Sequence, residues 1–89
     1  MKAAKILIYG KVQGVFFRAS TKSKAIEHNI RGWCRNTDKG QVEIFAQGYY
    51  KNLNEFFKWC NEGSELAEVE KVEVEFVDPE KFESFEIRY

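Results

Sequence analysis

Two glycines and an arginine lie within one short stretch of the sequence, YGKVQGVFFRAS, which covers residues 9–20. Because Gly10 and Gly14 lack a Cβ atom, the backbone N–H groups of residues 11–17 can turn toward a single anion. The stretch runs into a predicted helix, whose free N-terminal amides and dipole also favour negative charge. Arg18 lies at the start of that helix, and its planar guanidinium can donate hydrogen bonds to two oxygens of a phosphate group. The stretch thus favours a phosphate site, with a plain strand-to-helix turn and an exposed arginine as the alternative.

Two other uses of a glycine-bearing loop fit its residues poorly. A Walker-type phosphate loop needs a lysine and a hydroxyl after its second glycine, whereas Val15 and Phe16 follow Gly14. The two glycines also lack the spacing of the dinucleotide-binding fingerprint.

An RNA-recognition motif uses alternating aromatic residues on a central strand. Phe16 and Phe17 are adjacent and precede a helix, so they cannot both face one sheet surface.

Composition restricts the partners and the cellular compartment. The 89 residues include 14 basic and 14 acidic side chains, and we predict a single domain over residues 1–89. A formal net charge of +0 supplies no field for binding nucleic acid or a membrane surface, so we expect neither partner. Cys34 and Cys60 have neither the number nor the spacing of a disulfide framework or a metal site. No signal peptide is evident near Lys5, and we expect a cytoplasmic protein without a bound metal.

Hydrophobic periodicity predicts seven elements. Alternating apolar residues mark strands, spacings of three and four residues mark helices, and Asn29, Gly40 and Gly63 mark a helix end, a hairpin turn and a second helix end. The predicted strands are residues 5–9, 32–36, 41–47, 72–76 and a short C-terminal strand at 85–89. The first predicted helix covers residues 18–28, and its inner face comprises Phe17, Thr21, Ala25 and Ile26. The second predicted helix lies around Leu53, Phe56, Phe57 and Cys60. The order predicts a ferredoxin-like α+β sandwich, a split βαββαβ arrangement with both helices on one face of a mainly antiparallel sheet.

Three segments together resemble the acylphosphatase family. The segment GKVQGVFFR, residues 10–18, resembles the family's first signature, G-x-V-Q-G-V-x-F-R. The segment GWCRNTDKGQVEIFAQG, residues 32–48, resembles its second signature, and FEIRY, residues 85–89, resembles its common C-terminus. The likeness spans nearly the whole chain. One departure is Ser64, which follows Gly63 where the family usually has proline.

The resemblance implies metal-free and cofactor-free hydrolysis of the carboxyl–phosphate bond in acyl phosphates. The implied partners are a small acyl phosphate as the substrate and inorganic phosphate as a product or inhibitor. We expect the protein to be a monomer. The family's catalytic arginine and asparagine match Arg18 and Asn36. Its phosphate-binding loop matches eight residues: Gly10, Lys11, Val12, Gln13, Gly14, Val15, Phe16 and Phe17.

The chemistry of the implied substrate suits this small set of residues. An acyl phosphate is a mixed anhydride whose carboxylate leaves as a stable anion, so no general acid is needed. The remaining work is to neutralise the phosphoryl oxygens and to orient one water molecule. The neutral amide of Asn36 could hold that water without repelling a phosphate dianion. Regular alternation along the predicted strand at residues 32–36 would place Cys34 and Asn36 on one face and Trp33 and Arg35 on the other. Thr37 could contact the same water or cap the hairpin, and its place at the hairpin tip favours the cap. A terminal carboxylate on Tyr89 could orient Arg18 if the last strand packs nearby.

Two alternative functions follow from the same sequence. One is a non-catalytic anion-binding or regulatory module, like the acylphosphatase-like domain of larger carbamoyl-transfer proteins. The presence of both Arg18 and Asn36 favours the hydrolase over that module. The other is a domain that binds single-stranded RNA on its sheet, which the neutral charge disfavours.

Overall fold

Strands and helices follow each other in the predicted order. In a computed structural model that describes residues 1–89, two helices pack on a five-stranded sheet. The elements are β1 (Lys2–Lys11), α1 (Phe17–Glu27), β2 (Arg31–Asn36), β3 (Val42–Gly48), α2 (Tyr50–Glu62), β4 (Glu68–Val77) and β5 (Phe85–Arg88).

The sheet has the strand order β4-β1-β3-β2-β5. Strand β1 lies between β3 and β4 and is antiparallel to both. Strand β2 pairs antiparallel with β3 and parallel with β5, which forms one edge. This topology confirms the ferredoxin-like prediction, including the short last strand. Because β5 lies beside β2, the C-terminal residues end close to the strand that carries Asn36.

One face of the sheet and the inner faces of both helices form the core. Cross-strand pairs such as Ile6 with Ile44 and Ile8 with Val42 point toward the helices. These four side chains are almost completely inaccessible to solvent. The helices contribute five buried apolar residues to the same cluster: Phe17, Ala25, Leu53, Phe56 and Cys60. Burial of this surface holds the turn between β1 and α1 against a rigid sheet.

The predicted chain reversals are confirmed by their backbone angles. Asn29 follows α1 with φ 57°, the left-handed conformation that asparagine tolerates. Gly40 in the hairpin turn has φ 84°, and Gly63 at the end of α2 has φ 78°. No helix in the structure is long and apolar enough to cross a membrane.

Several details differ from the sequence prediction. Strands β1 and β4 are longer than predicted, because their antiparallel ladder, interrupted by one bulge, runs through residues of any polarity. Strand β2 begins one residue earlier than predicted, and β3 is shifted by one residue toward the C-terminus. Ile26 is exposed rather than on the inner face of α1, where Thr21 is buried and donates a hydrogen bond to the Phe17 carbonyl. Helix α1 begins and ends one residue earlier than predicted. Tyr89 lies beyond the end of β5.

Candidate functional site

The turn between β1 and α1 leaves a run of backbone N–H groups free. Gly14 has φ 73°, and Phe16, which caps α1, has φ 59° and ψ 22°. None of the N–H groups of residues 12–19 donates a hydrogen bond within the protein; the first amide of the helix to do so is that of Ser20, to the Phe16 carbonyl at 3.0 Å. Consecutive free amides at a helix N-terminus form a concave, electropositive surface suited to an anion.

The turn is anchored on both sides. The side chains of Val12, Val15 and Phe17 are buried in the core. The side-chain amide of Gln13 donates hydrogen bonds to the carbonyls of Thr37 at 2.9 Å and Gln41 at 2.8 Å, both in the β2–β3 hairpin. These contacts fix the turn relative to the strand that ends at Asn36.

The opposite side of the turn is held by the chain segment after α2. The buried hydroxyl of Ser64 donates a hydrogen bond to the Val15 carbonyl at 3.0 Å. Since a buried carbonyl without a partner is unfavourable, this bond stabilises the outward orientation of the neighbouring amides.

Arg18 is half-buried at the start of α1 and contacts the end of the chain. Its Nη1 atom lies 3.5 Å from the Arg88 carbonyl oxygen, and its guanidinium carbon lies 4.9 Å from the centre of the Tyr89 ring. No ion pair joins Arg18 to a carboxylate, so the contact uses the backbone and the ring rather than the terminal carboxylate considered from the sequence. Most of the guanidinium N–H donors therefore remain available to a ligand.

Asn36 is the last residue of β2, and its amide oxygen is unusual. The atom is buried and has no hydrogen-bond partner, and no other side-chain polar atom in the structure shares both properties. Cys34, two residues earlier on the same face, is buried in the core, while Arg35 on the opposite face forms an ion pair with Glu43 at 2.6 Å. The alternation predicted for this strand is therefore confirmed.

A cavity of about 280 Å³ brings part of the predicted site together. Its lining comprises Val12, Gly14, Phe16, Phe17, Arg18, Ala19, Asn36, Ile87 and Tyr89. Arg18 is the only lining residue with a charged side chain. The geometry thus unites the turn, the arginine and the asparagine around one opening of a size that suits a small ligand.

Four of the predicted loop residues lie outside this lining. Gly10 and Lys11 belong to β1, where a β-bulge shifts the register with β4. A Cβ atom on Gly10 would lie 2.1 Å from the Glu68 carbonyl oxygen, so the glycine is required by this close approach. Gln13 and Val15 anchor the turn through the contacts described above.

Comparison with known proteins identifies the family. The acylphosphatase family profile matches residues 4–87. The chain belongs to the acylphosphatase family. The relatives that carry this name are enzymes, hydrolases that act on acyl phosphates, and the chain is therefore placed among such enzymes.

Individual acylphosphatases are similar to the chain over most or all of their length. The acylphosphatase of Haloarcula marismortui is 42% identical over 86 residues, which cover 97% of this chain and 94% of the relative. The crystal structure of acylphosphatase from Bacillus subtilis superimposes with a TM-score of 0.97 at 33% identity, covering 100% of both chains. A structure of full-length HypF in the phosphate- and nucleotide-bound form matches with a TM-score of 0.88 at 25% identity, but this chain covers only 12% of it.

A buried thiol lies next to Arg18. Burial raises the pKa of Cys34 to about 12, although the positive charges of Arg18 and Lys22 act in the opposite direction. The Cys34 thiol donates a weak hydrogen bond to the Arg18 carbonyl at 3.8 Å. The thiol therefore stays protonated at neutral pH and is unsuited to act as a nucleophile.

Sequence reasoning missed several residues that shape this candidate site. Ile87 and Ala19 line the cavity, and Ser64 supports the turn from a distance of 49 residues. Ser64 stands at a departure from the family pattern, but nothing local in the sequence links it to Val15. Thr37 was left open between the site and the hairpin, and its hydroxyl accepts hydrogen bonds from the Lys39 and Gln41 amides. Thr37 therefore stabilises the hairpin turn.

Proposed function

We propose that this chain hydrolyses the carboxyl–phosphate bond of acyl phosphates at the cavity that joins the turn, Arg18 and Asn36. Membership of the acylphosphatase family supports acyl phosphate hydrolysis in general. The roles of individual residues rest on the geometry of this cavity. One observation supports them: a single cavity is lined by the turn with free amides, by Arg18 and by Asn36. Arg18 uses one guanidinium donor on the Arg88 carbonyl, and the amide oxygen of Asn36 has no partner.

The turn and Arg18 bind the phosphoryl group. The free N–H groups present partial positive charge, and the dipole of α1 adds to it because no acidic residue occupies the first turn of the helix. Arg18 contributes a full positive charge and a planar pair of donors. Together they neutralise the equatorial oxygens, whose charge must be balanced in the transition state of phosphoryl transfer.

Asn36 orients the attacking water. Its buried oxygen lacks a hydrogen-bond donor, and a water molecule between the amide and the bound phosphoryl group supplies one. The water oxygen forms a bond to phosphorus as the bond from phosphorus to the acyl oxygen breaks. The electron pair leaves with the carboxylate. Both hydrogens of the water end on the phosphate product, one on the new P–OH group and one on a phosphoryl oxygen. Since the amide is neutral, it adds no repulsion to the approach of the dianion.

The test is hydrolysis of benzoyl phosphate in the presence of EDTA. We expect turnover by the native chain and a loss of about 10³-fold or more for Arg18→Ala, the range observed for catalytic arginines in phosphoryl transfer. Arg35→Ala is the matched control, because Arg35 lies on the opposite sheet face and is paired with Glu43. Full activity of folded Arg18→Ala would contradict the assigned role, and loss of turnover in EDTA would contradict the metal-free mechanism.

A second candidate is a non-catalytic anion-binding module. It is favoured by the similarity to one small part of full-length HypF, whose structure has bound phosphate and nucleotide. Equilibrium binding of inorganic phosphate separates the two functions. A folded chain that binds phosphate but releases none from benzoyl phosphate is a binding module.

A further inference from the structure

Phe16 is an unusual residue for the position it occupies. Its side chain is 77% exposed, and its backbone adopts the left-handed conformation with φ 59°. A residue with a bulky aromatic side chain rarely adopts this conformation, which glycine adopts freely. No aromatic ring of the protein pairs with it, and its side chain makes no capping hydrogen bond to α1. Packing within the chain therefore does not explain the phenyl group.

The location of Phe16 supplies an explanation. It lines the cavity that also contains Arg18 and Asn36, together with Ile87 and Tyr89. Tyr89 is fully exposed apart from the contact of its ring with the Arg18 guanidinium. The cavity thus has a polar part formed by amides, guanidinium and asparagine, and an apolar rim formed by Phe16, Ile87 and Tyr89. Exposed apolar groups that converge on one opening indicate a surface that a ligand covers.

The charge of the cavity restricts the ligand further. Arg18 is the only lining residue with a charged side chain, and the proposed mechanism uses it for the phosphoryl group. No second cation remains in the lining to pair with a carboxylate on the acyl group. An uncharged, apolar acyl group therefore fits the rim better than an acidic one.

We propose that Phe16 and Tyr89 bind the acyl group of the substrate and favour acyl phosphates whose acyl group is aromatic or otherwise apolar. This assignment rests on the proposed hydrolysis at the same cavity and names its substrate class. Contact with the rim exists in both the bound substrate and the transition state, so it contributes uniform binding energy. Loss of the rim should raise KM for aromatic substrates and leave kcat unchanged.

Binding of two non-hydrolysable analogues tests the assignment independently of turnover. Phenacylphosphonate carries a phenyl ring and acetonylphosphonate carries a methyl group on otherwise identical frames. We expect the native chain to bind phenacylphosphonate about tenfold more tightly, a preference of about 1.4 kcal/mol. Phe16→Ala should abolish this preference, so that the variant binds the two analogues with equal Kd. Equal binding of both analogues by the native chain, or binding of neither, would overturn the proposal.

Two further variants separate a binding role from a structural one. Phe16→Gly removes the ring and suits the left-handed backbone, so it should fold at least as well and show the same loss of preference. Tyr49→Ala is the matched control, since Tyr49 is an exposed aromatic residue that precedes α2 and lies outside the cavity lining. If both Phe16 variants weaken the two analogues equally, Phe16 acts on the turn and not on the acyl group, and the proposal is wrong.

Kinetics distinguishes failure of this proposal from failure of the proposed function. For Phe16→Ala we expect the ratio of the KM of benzoyl phosphate to the KM of acetyl phosphate to rise about tenfold, a comparison in which any effect of the variant on the phosphate-binding turn cancels. Hydrolysis of both substrates with no effect of Phe16→Ala on either KM overturns the acyl-group assignment alone. A binding preference for phenacylphosphonate without hydrolysis supports the acyl-group site and contradicts the hydrolase.

Discussion

The side-chain nitrogen of Gln13 lies 2.9 Å from the carbonyl oxygen of Thr37, the residue that follows Asn36. The same nitrogen donates to the Gln41 carbonyl at 2.8 Å, so one amide closes the gap between the β1–α1 turn and the β2–β3 hairpin. The proposed phosphate site and the proposed water site lie on these two segments. The distance between the proposed phosphate site and the proposed water site therefore depends on the hydrogen bonds of Gln13, a residue that takes no direct part in either site.

Gln13→Ala should reduce hydrolysis of benzoyl phosphate by about 10–100-fold, because small displacements of reacting groups cost up to about 100-fold in rate. The loss should lie mainly in kcat, since the amides that bind phosphate remain in the turn. Lys39→Ala is the control, as Lys39 is exposed at the tip of the same hairpin. Native kcat in Gln13→Ala would show that the hairpin is positioned by the core alone.

Asn36→Ala should separate activity from stability. The substitution removes a buried oxygen that has no hydrogen-bond partner, so the free energy of unfolding should stay the same or rise by up to about 1 kcal/mol. Activity should fall about 10²–10³-fold, the range typical of a lost polar contact to a transition state. Urea unfolding and steady-state kinetics on the same sample measure both quantities. A parallel loss of stability and activity would assign Asn36 a structural role.

Gly10→Ala and Gly14→Ala should differ in cost although both glycines lie in the same signature. Gly14 has open space around it, so alanine there pays only for the left-handed conformation, about 1–2 kcal/mol. At Gly10 the new Cβ atom would also lie 2.1 Å from the Glu68 carbonyl oxygen and displace β4. We expect a loss of at least about 3 kcal/mol at Gly10, measured by urea unfolding. Equal losses would contradict the close approach.

Alkaline pH should destabilise the fold partly through Cys34. An unfolded thiol ionises near its ordinary pKa of 9.0, whereas burial raises the folded pKa of Cys34 to about 12. Between these values the unfolded chain binds fewer protons than the folded one, so stability falls as pH rises, by up to about tenfold in the folding equilibrium constant per pH unit. Below pH 9 both states keep the proton, and this effect vanishes.

The corresponding measurement compares urea unfolding at pH 8 and pH 10.5 for the native chain and for Cys34→Ala. The variant begins less stable because it leaves a cavity, but its stability should decrease less between the two pH values. Burial also raises the pKa of Cys60, and this largest cause acts in both proteins, whereas the smaller rise from the charge of Cys34 is present only in the native chain. An identical pH dependence in the two would show that Cys34 ionises equally in both states.

Much of the candidate site was predictable because its chemistry is local. The spacing of Gly10, Gly14 and Arg18 indicated an anion-binding turn at a helix N-terminus, and the structure has free amides there. The alternation of β2 correctly predicted that Asn36 shares a face with Cys34. Backbone conformation and strand alternation are determined within a few residues, so a sequence pattern carries them directly.

Other features could not be predicted because they depend on contacts between distant residues. The contact of Arg18 with the Arg88 carbonyl joins residues 70 positions apart, and that of Ser64 with Val15 joins residues 49 apart. The exposure of Ile26 likewise depends on how α1 rotates against the sheet.

The element order, the family and the residue types available for phosphate chemistry follow from the sequence alone. The position of β5 beside β2, which brings Tyr89 to Arg18 and completes the cavity, depends on the three-dimensional packing of the chain. The role of Gly10 in the approach of β4, rather than in the cavity, depends on the same packing. The physical reason is that side-chain chemistry and local backbone preference reside in single residues and their neighbours, whereas cavity shape arises from the packing of the whole core.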